Sequence, residues 1–532
     1  MIAFVLSQES VPLQDPSAGW QVNYGIWIRA VLLSGVITHT LLVQAIYLVN
    51  DIQLSSRQFG LIITCVAVGY SAIYALVTAF LVFPIPFMSI STTPFFFTLL
   101  IVSFRAVVGR RAFGEMMTHR DQLLRFQLFL SAQTLMTVVY PAYQILFRAA
   151  SETGYELIAI LLLPVIKLIM KNLVSLSIGH MEDMMPEAVI FTVDFFNALY
   201  IATCMQSASS TTTVAAIMVM DLTQTAMALR SLYRGTSSIA GRLHETFGTA
   251  GTHTNLLTIA NSLCRSPNTF AKQERSQIRL RSCLSYRLSP ANSDFLDSLE
   301  KYRAFYIDAK SQPHASGGMN NLMNSAVTPA GRTIAHRPLG WRCTSRHRTT
   351  VHPVTITHTP VTKVRAEESR HTEIAPPSLP EPQLTILRET LEILFTTECI
   401  VLTEYVESVI PMFYANFILV MVRLPSAQYH TELAGMTREN VGATVNKVYV
   451  YALLEFASFV LLAVVMQRKC GVRALYHLSF VLETQMPLIQ GKLMTWMLLT
   501  LTSRVVHFGT FSIIPSSTVD GATLLDRSTQ SP

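Results

Sequence analysis

Charge is what this sequence has least of. Only 14% of its 532 residues are Asp, Glu, Lys or Arg, where a soluble domain carries about 25%. Beside 50% hydrophobic residues and a mean hydropathy of +0.39, that scarcity excludes an ordinary soluble protein and a wholly disordered chain. Cysteine is sparse too. Seven cysteines, with no CxxC pair and no paired Cys/His spacing, exclude a disulfide scaffold and give no zinc site. No Asn-x-Ser/Thr sequon occurs. The N-terminus lacks a basic region before a short apolar Met1–Leu6 and meets Gln8, Glu9 and Asp15 soon after. It therefore reads as no signal peptide, and the first long apolar run should remain as a membrane anchor. There is no GK[ST] phosphate loop, G-x-S-x-G, HExxH, EF-hand loop or potassium-filter sequence. An enzyme is disfavoured, and no cofactor or metal is expected.

What the sequence has in abundance is apolar runs near the roughly 20 residues that a spanning helix needs. They cover about 30–49, 60–82, 88–108, 126–146, 155–176, 188–206 and 211–229, then 400–422, 447–466 and 493–511. This pattern predicts an all-α membrane protein: a polytopic transmembrane helix bundle of about ten spans with a long cytosolic loop. Pro84, Pro86 and Pro94 make the third span short or kinked. The chain divides into an extracytosolic segment 1–29, a first transmembrane block 30–230 of about seven spans, and a basic loop 231–387. A second block, 388–511, holds about three spans and an interfacial helix over 472–490. A polar tail, 512–532, ends the chain.

Segment 231–387 holds 19 Lys/Arg against 10 Asp/Glu, more than the whole chain's excess of +7. Within it, 254–310 is helically patterned, with Phe295, Leu299, Tyr302 and Tyr306 on one face. Residues 311–381 have the composition of disorder. The other basic sites are Arg105, Arg110, Arg111, Arg120 and Arg125 after the third span, and Arg468, Lys469 and Arg473 after the ninth. Placing all of these in the cytosol puts the N-terminus and, with ten crossings, the C-terminus outside. The bilayer is the expected partner, with anionic headgroups or cytosolic proteins at the basic loop. No nucleic-acid motif is present, and nothing distinguishes the plasma membrane from an endomembrane.

Ionisable groups inside spans cost about 2.5–3.5 kcal/mol each on insertion scales. They are the chain's site-like chemistry: Lys167 and Lys171, Asp194 with Asn197 one turn on, Asp221, Glu404 and Glu407, and Glu455. Arg504 falls in the tenth span as drawn. At about 1.5 Å rise per residue, Lys171 and Asp194 both lie about 9 Å from the cytosolic boundary, and Lys167 and Asp221 about 14–15 Å. Two readings stay open. The charges line an ion or proton pathway, or they are structural pairs that let marginal spans insert. Glu404 and Glu407 either line a cavity or mark a span that begins later than drawn, and Glu398 belongs to the boundary. His180, Glu182, Asp183 and Glu187 form an acidic turn that matches no defined metal spacing.

Four stretches resemble a large family of multi-pass membrane proteins expanded in oomycetes. They are PVIKLIMKNLVSLSIGHMEDMMPEAVIFTVDFFNALYIATCMQSASS (164–210), IRLRSCLSYRLSP (278–290), LFTTECIVLTEYVESVIPMFYANF (394–417) and LYHLSFVLETQMPLIQGKL with the later HFG (475–509). The resemblance implies a multi-pass membrane protein, brings no activity with it, and carries over no functional residue. Function is thus framed by two expectations. One is a transporter or channel-like permease using the buried charges of spans five to seven. The other is a membrane receptor or scaffold acting through the basic loop.

Overall fold

The computed structural model describes residues 2–49, 52, 54–80, 83–85, 88–179, 184–208, 210–247 and 381–508. The helix expected over 254–310, residues 311–380 of the stretch 311–381, the tail 512–532, and His180, Glu182 and Asp183 lie outside the described residues.

The described residues are almost entirely helical and form no strand. An isolated bridge joins His430 to Val505. In chain order the helices are α1 (Ile2–Glu9), α2 (Tyr24–Leu48), α3 (Ser56–Phe80), α4 (Met88–Ser91), α5 (Thr93–Val108), α6 (Arg110–Thr118), α7 (Arg120–Thr153), α8 (Glu156–Ile178) and α9 (Met185–Val189). A π-helical turn, Ile190–Asp194, leads into α10 (Phe195–Ser207). Then follow α11 (Thr211–Phe247), α12 (Glu381–Met421), α13 (Val441–Lys469), α14 (Ala474–Thr484) and α15 (Met486–Thr502).

Seven of these segments are long and apolar enough to cross a membrane: α2, α3, α7, α8, the joined Met185–Ser207, α11 over Thr211–Ile239, and α13 over Val441–Arg468. An eighth would be the bent pair α5 and α6, which meet at 117°. These are the helices of a membrane-embedded protein. Most show one face to their surroundings, as Leu61, Val68 and Leu76 do on α3. Met185–Ser207 differs, because its apolar window is 100% buried. A helix covered on all sides is the centre of a bundle, and Phe191, Phe195, Phe196 and Tyr200 fill the space around it.

The helices pair closely as α2 with α3, α7 with α8, α12 with α13 and α15 with α2. Without a hydrophobic drive between helices in lipid, close approach through small residues matters. Gly491 on α15 is such a point, since a Cβ there would stand 3.0 Å from Thr40 Oγ1 on α2. Gly69 on α3 is another, where a Cβ would come within 2.8 Å of Leu99 on α5.

Four features differ from the sequence expectation. The run drawn at 88–108 is broken at Thr92, and Pro94 opens α5 within its first turn, where a missing N–H costs nothing. Gly109, at φ 93°, then turns the chain sharply into α6. The boundary drawn at 230/231 falls inside α11, which runs on to Phe247. The interfacial helix expected over 472–490 ends at Thr484, and a new helix, α15, starts at Met486 with Pro487 in its first turn. That helix stops at Thr502, so Arg504 lies beyond its end rather than inside a span.

Candidate functional site

Chain reversals bring α8, α11, α12 and the π turn together around one cluster of charge. Lys167 and Lys171 are one helical turn apart on α8 and so share a face. Asp194 is the last residue of the π turn. A π turn carries an extra residue within the helix and is a recurrent feature of functional segments. Here it points a fully buried carboxylate at both lysines.

Lys171 Nζ lies 2.9 Å from Asp194 Oδ1 and Lys167 Nζ 3.3 Å from the same oxygen. Lys167 also meets Glu407 Oε1 at 2.6 Å. Thr403 Oγ1 donates to Asp194 Oδ2 at 3.4 Å. Lys167 and Asp194 are thus held by charges from three segments. The Lys171–Asp194 pair is the one that depth arithmetic predicts. The expected Lys167–Asp221 pair is not formed: Lys167 turns to Glu407, and Asp221 comes within hydrogen-bonding reach of Glu455 on α13. Depth along a helix axis does not specify the direction a residue faces around it, and α12 stands nearer Lys167 than the sequence could show.

Glu404 and Glu407 are both buried. Glu404 accepts from Ser458 Oγ at 3.0 Å and from Thr225 Oγ1 at 3.3 Å. Both glutamates, with Lys167, Lys171 and Asp221, line a cavity of about 380 Å³ between α8, α11 and α12. Asp194 and Glu455 stand behind its wall. Asn197, buried one turn beyond Asp194, is neither in contact with the lysines nor part of the cavity lining. Glu398 sits outside the cluster beside His477 of α14, at 3.7 Å.

Two prolines adjoin the site. Pro164 lines the cavity on α8 and Pro411 lies within α12. Each lacks the N–H that would bond the carbonyl four residues earlier. For Pro411 that carbonyl belongs to Glu407 itself.

The cluster therefore gathers five carboxyl groups and two ammonium groups within a helical bundle. The acids are strung along the cavity and across its wall rather than gathered around one point. No three His, Cys, Asp or Glu side chains among the described residues are grouped to hold a metal ion. The arrangement can neutralise two carboxylates with lysine and leaves three to be balanced by protons or by an entering cation.

Three further buried ionic groups brace the bundle. At the end that carries the 422–440 connection, Arg504 meets Glu432, bonds Tyr414 OH and Thr203 Oγ1 at 3.1 Å each, and lies over the rings of Tyr200 and Tyr414. Tyr414 OH donates to Gln206 Oε1 at 2.5 Å, and Gln144 bonds Glu432. At the same end Arg29 meets Glu9 at 2.6 Å, and His430 Nε2 stands 3.1 Å from the same Glu9 oxygen. Burial pushes the Glu9 carboxyl up, but the hydrogen bond and charge of His430, with those of Arg29, outweigh it and hold Glu9 below the usual carboxylate value. Burial pushes the His507 imidazole nearby down. At the opposite end Lys492 and Glu187, each 1% exposed, pair at 2.9 Å. Glu187 is therefore a structural ion-pair member and not a free acid of the turn.

Sequence reasoning did not find Glu432, Gln206 or Tyr414. Glu432 sits in a polar connection among many like it, and no local pattern marks it as the partner of Arg504. No family model, no curated protein and no solved structure matches the chain.

Proposed function

We propose that this chain is a multi-pass membrane permease that moves a proton or a cation through the cavity between α8, α11 and α12. One observation carries the reading: five carboxyl groups face only two ammonium groups inside the bundle. Uncompensated charge at such depth is expensive. The three surplus acids must hold protons or draw in cations, and a series of such groups along a cavity can hand a charge from one to the next. Lys171, one-third exposed against 12% for Lys167, is the side chain best placed to release Asp194 when a charge arrives. The chain acts by transport and not by catalysis.

The reading includes about ten crossings. The seven long apolar segments, the bent α5–α6 element, α12 and α15 alternate in direction, with the connection from α11 to α12 on the cytosolic side and the 422–440 connection outside. The 41-residue α12 carries Glu404 and Glu407, and α15 has 17 residues, so charge and length hold these two below the usual hydropathy signature of a span.

The test is ion and proton flux into liposomes that hold the purified protein, with an Asp194→Asn, Asp221→Asn variant beside it. Flux that the folded variant loses supports the reading. Flux that it retains, or no flux under any gradient, overturns it and leaves the charges as structural pairs.

A further inference from the structure

A second cavity lies away from the charged one, enclosed by α2, α3, α5, α7 and α15, with a volume of about 270 Å³. Among the described residues, no Asp, Glu, Lys, Arg or His lines it. Its walls are mostly apolar, as in Leu33, Phe96 and Leu130, which suits a site that binds an apolar body. Beside the hydroxyls of its Ser, Thr and Tyr residues, the lining includes two amide side chains and an indole: Gln44 on α2, Gln133 on α7 and Trp496 on α15. All three are more than nine-tenths buried. Gln44 Oε1, Gln133 Nε2 and Trp496 Nε1 each lack a protein hydrogen-bond partner. A buried polar atom without a partner costs about 1–3 kcal/mol. A ligand whose hydroxyl or carbonyl groups reached these atoms, as the side chains turn toward it, would relieve that cost.

The cavity also has a direction. Among its lining residues the exposed ones are Pro94 on α5 and Thr134 on α7, which places its mouth between those helices. The outer faces beside that mouth are apolar, with Phe95 and Ile101 on α5 and Leu128 and Leu135 on α7 exposed. A ligand arriving there comes from the hydrocarbon layer. Pro141 on α7 leaves the backbone carbonyl of Thr137, a lining residue, without its helical donor.

We propose that this cavity binds a neutral, hydroxyl-bearing membrane lipid, its chain or ring system against the apolar wall and its polar group between Gln44, Gln133 and Trp496. An anionic or cationic headgroup would enter with no countercharge to meet it. This inference is independent of the transport reading, because it uses none of the charged site.

The experiment is photo-crosslinking of the full chain in lipid nanodiscs. Four diazirine probes are used in parallel: a sterol, a monoacylglycerol, a fatty acid above its pKa and a quaternary-ammonium alkyl chain. The expected result is labelling of the 93–97, 130–138 and 495–499 segments by one or both neutral probes, competed by excess unlabelled lipid. The sterol and monoacylglycerol arms tell which neutral lipid it is. A Gln44→Leu, Gln133→Leu variant should lower that labelling about five- to ten-fold, the affinity equivalent of one or more hydrogen bonds. Thr134→Trp, which narrows the mouth and leaves the buried polar groups in place, should lower it too, and it decides the matter if the double variant fails to fold. Equal labelling by the charged probes, labelling confined to the outward faces near Ile101 and Leu128, or labelling unchanged in Thr134→Trp would overturn the proposal.

Discussion

The Lys167 ammonium sits 2.6 Å from the Glu407 carboxylate, joining positions 240 residues apart in the sequence. With Asp194 at 3.3 Å from the same nitrogen, it ties α8 to both the central helix and α12. Removing one member of a buried pair leaves the other charge uncompensated, at about 3–5 kcal/mol. Lys167→Met should therefore destabilise the protein by about that amount, and Glu407→Gln by somewhat less, since Asp194 still holds Lys167. The double variant should lose less than the sum. Thermal unfolding in detergent measures all three, and additive losses would break the link between the two residues.

Asp194 allows a sharper comparison. Asp194→Asn leaves Lys171 and Lys167 facing a neutral amide. Adding Lys171→Met removes one of the stranded charges. The double variant should therefore be the more stable of the two, by about 1–2 kcal/mol on the scale of buried charge pairs. A double variant less stable than Asp194→Asn alone would mean that the lysine contributes packing and not charge.

Much of the bundle is legible in sequence because long apolar runs report lipid contact directly. The expected cores of the runs at 30–49, 60–82, 155–176 and 447–466 coincide with α2, α3, α8 and α13 to within a few residues. Local punctuation was harder to read. Gly109 turns the chain by 117° between α5 and α6, and nothing in the sequence distinguishes it from a glycine in a straight loop. Of the site, the residue types and depths were visible, and depth sufficed to join Lys171 to Asp194. Partners on the second block were not, because a helix position gives height but not which neighbour stands opposite. Hence depth alone pairs Lys167 with Asp221, although Glu407 holds it, and does not link Asp221 to Glu455.

The Lys492–Glu187 pair predicts a different outcome from the pathway charges. It is sealed, with both side chains 1% exposed and Lys492 Nζ 5.5 Å from the Phe129 ring centroid. Either single change, Lys492→Met or Glu187→Leu, should cost about 3–5 kcal/mol. The two together should restore most of that loss, since well-packed apolar residues of similar volume can replace a buried pair. Neither the singles nor the double should alter ion selectivity in the flux assay. A selectivity change in the folded double variant would bring this end of the bundle into the pathway.

Arg504 is a hub whose geometry a lysine cannot copy. Its planar head reaches Glu432, Tyr414 and Thr203 while lying over two tyrosine rings, and an ammonium offers neither the fork nor the stacking. Arg504→Lys should destabilise by about 1–3 kcal/mol. Because Glu432 anchors the 422–440 connection, hydrogen exchange there should rise more than in α13. Uniform exchange across both would show that Arg504 supports the bundle as a whole and not this connection.

Acid should weaken the same end through Glu9. Its carboxyl is held below the usual value of 4.5, because His430 and Arg29 outweigh the effect of burial. A group whose folded value is depressed stabilises the fold above its unfolded value, and that contribution is lost as pH falls through the folded one. Wild-type protein should therefore keep the Glu9 contribution at pH 7 and shed it progressively below about pH 4.5. Glu9→Gln should be less stable than wild type at pH 7, with the gap closing as the solution is acidified. The difference in melting temperature between the two proteins, followed from pH 7 to pH 3, isolates Glu9 from every other carboxylate in the chain. A gap that stays constant over that range would mean that Glu9 holds Arg29 and His430 by shape and not by charge.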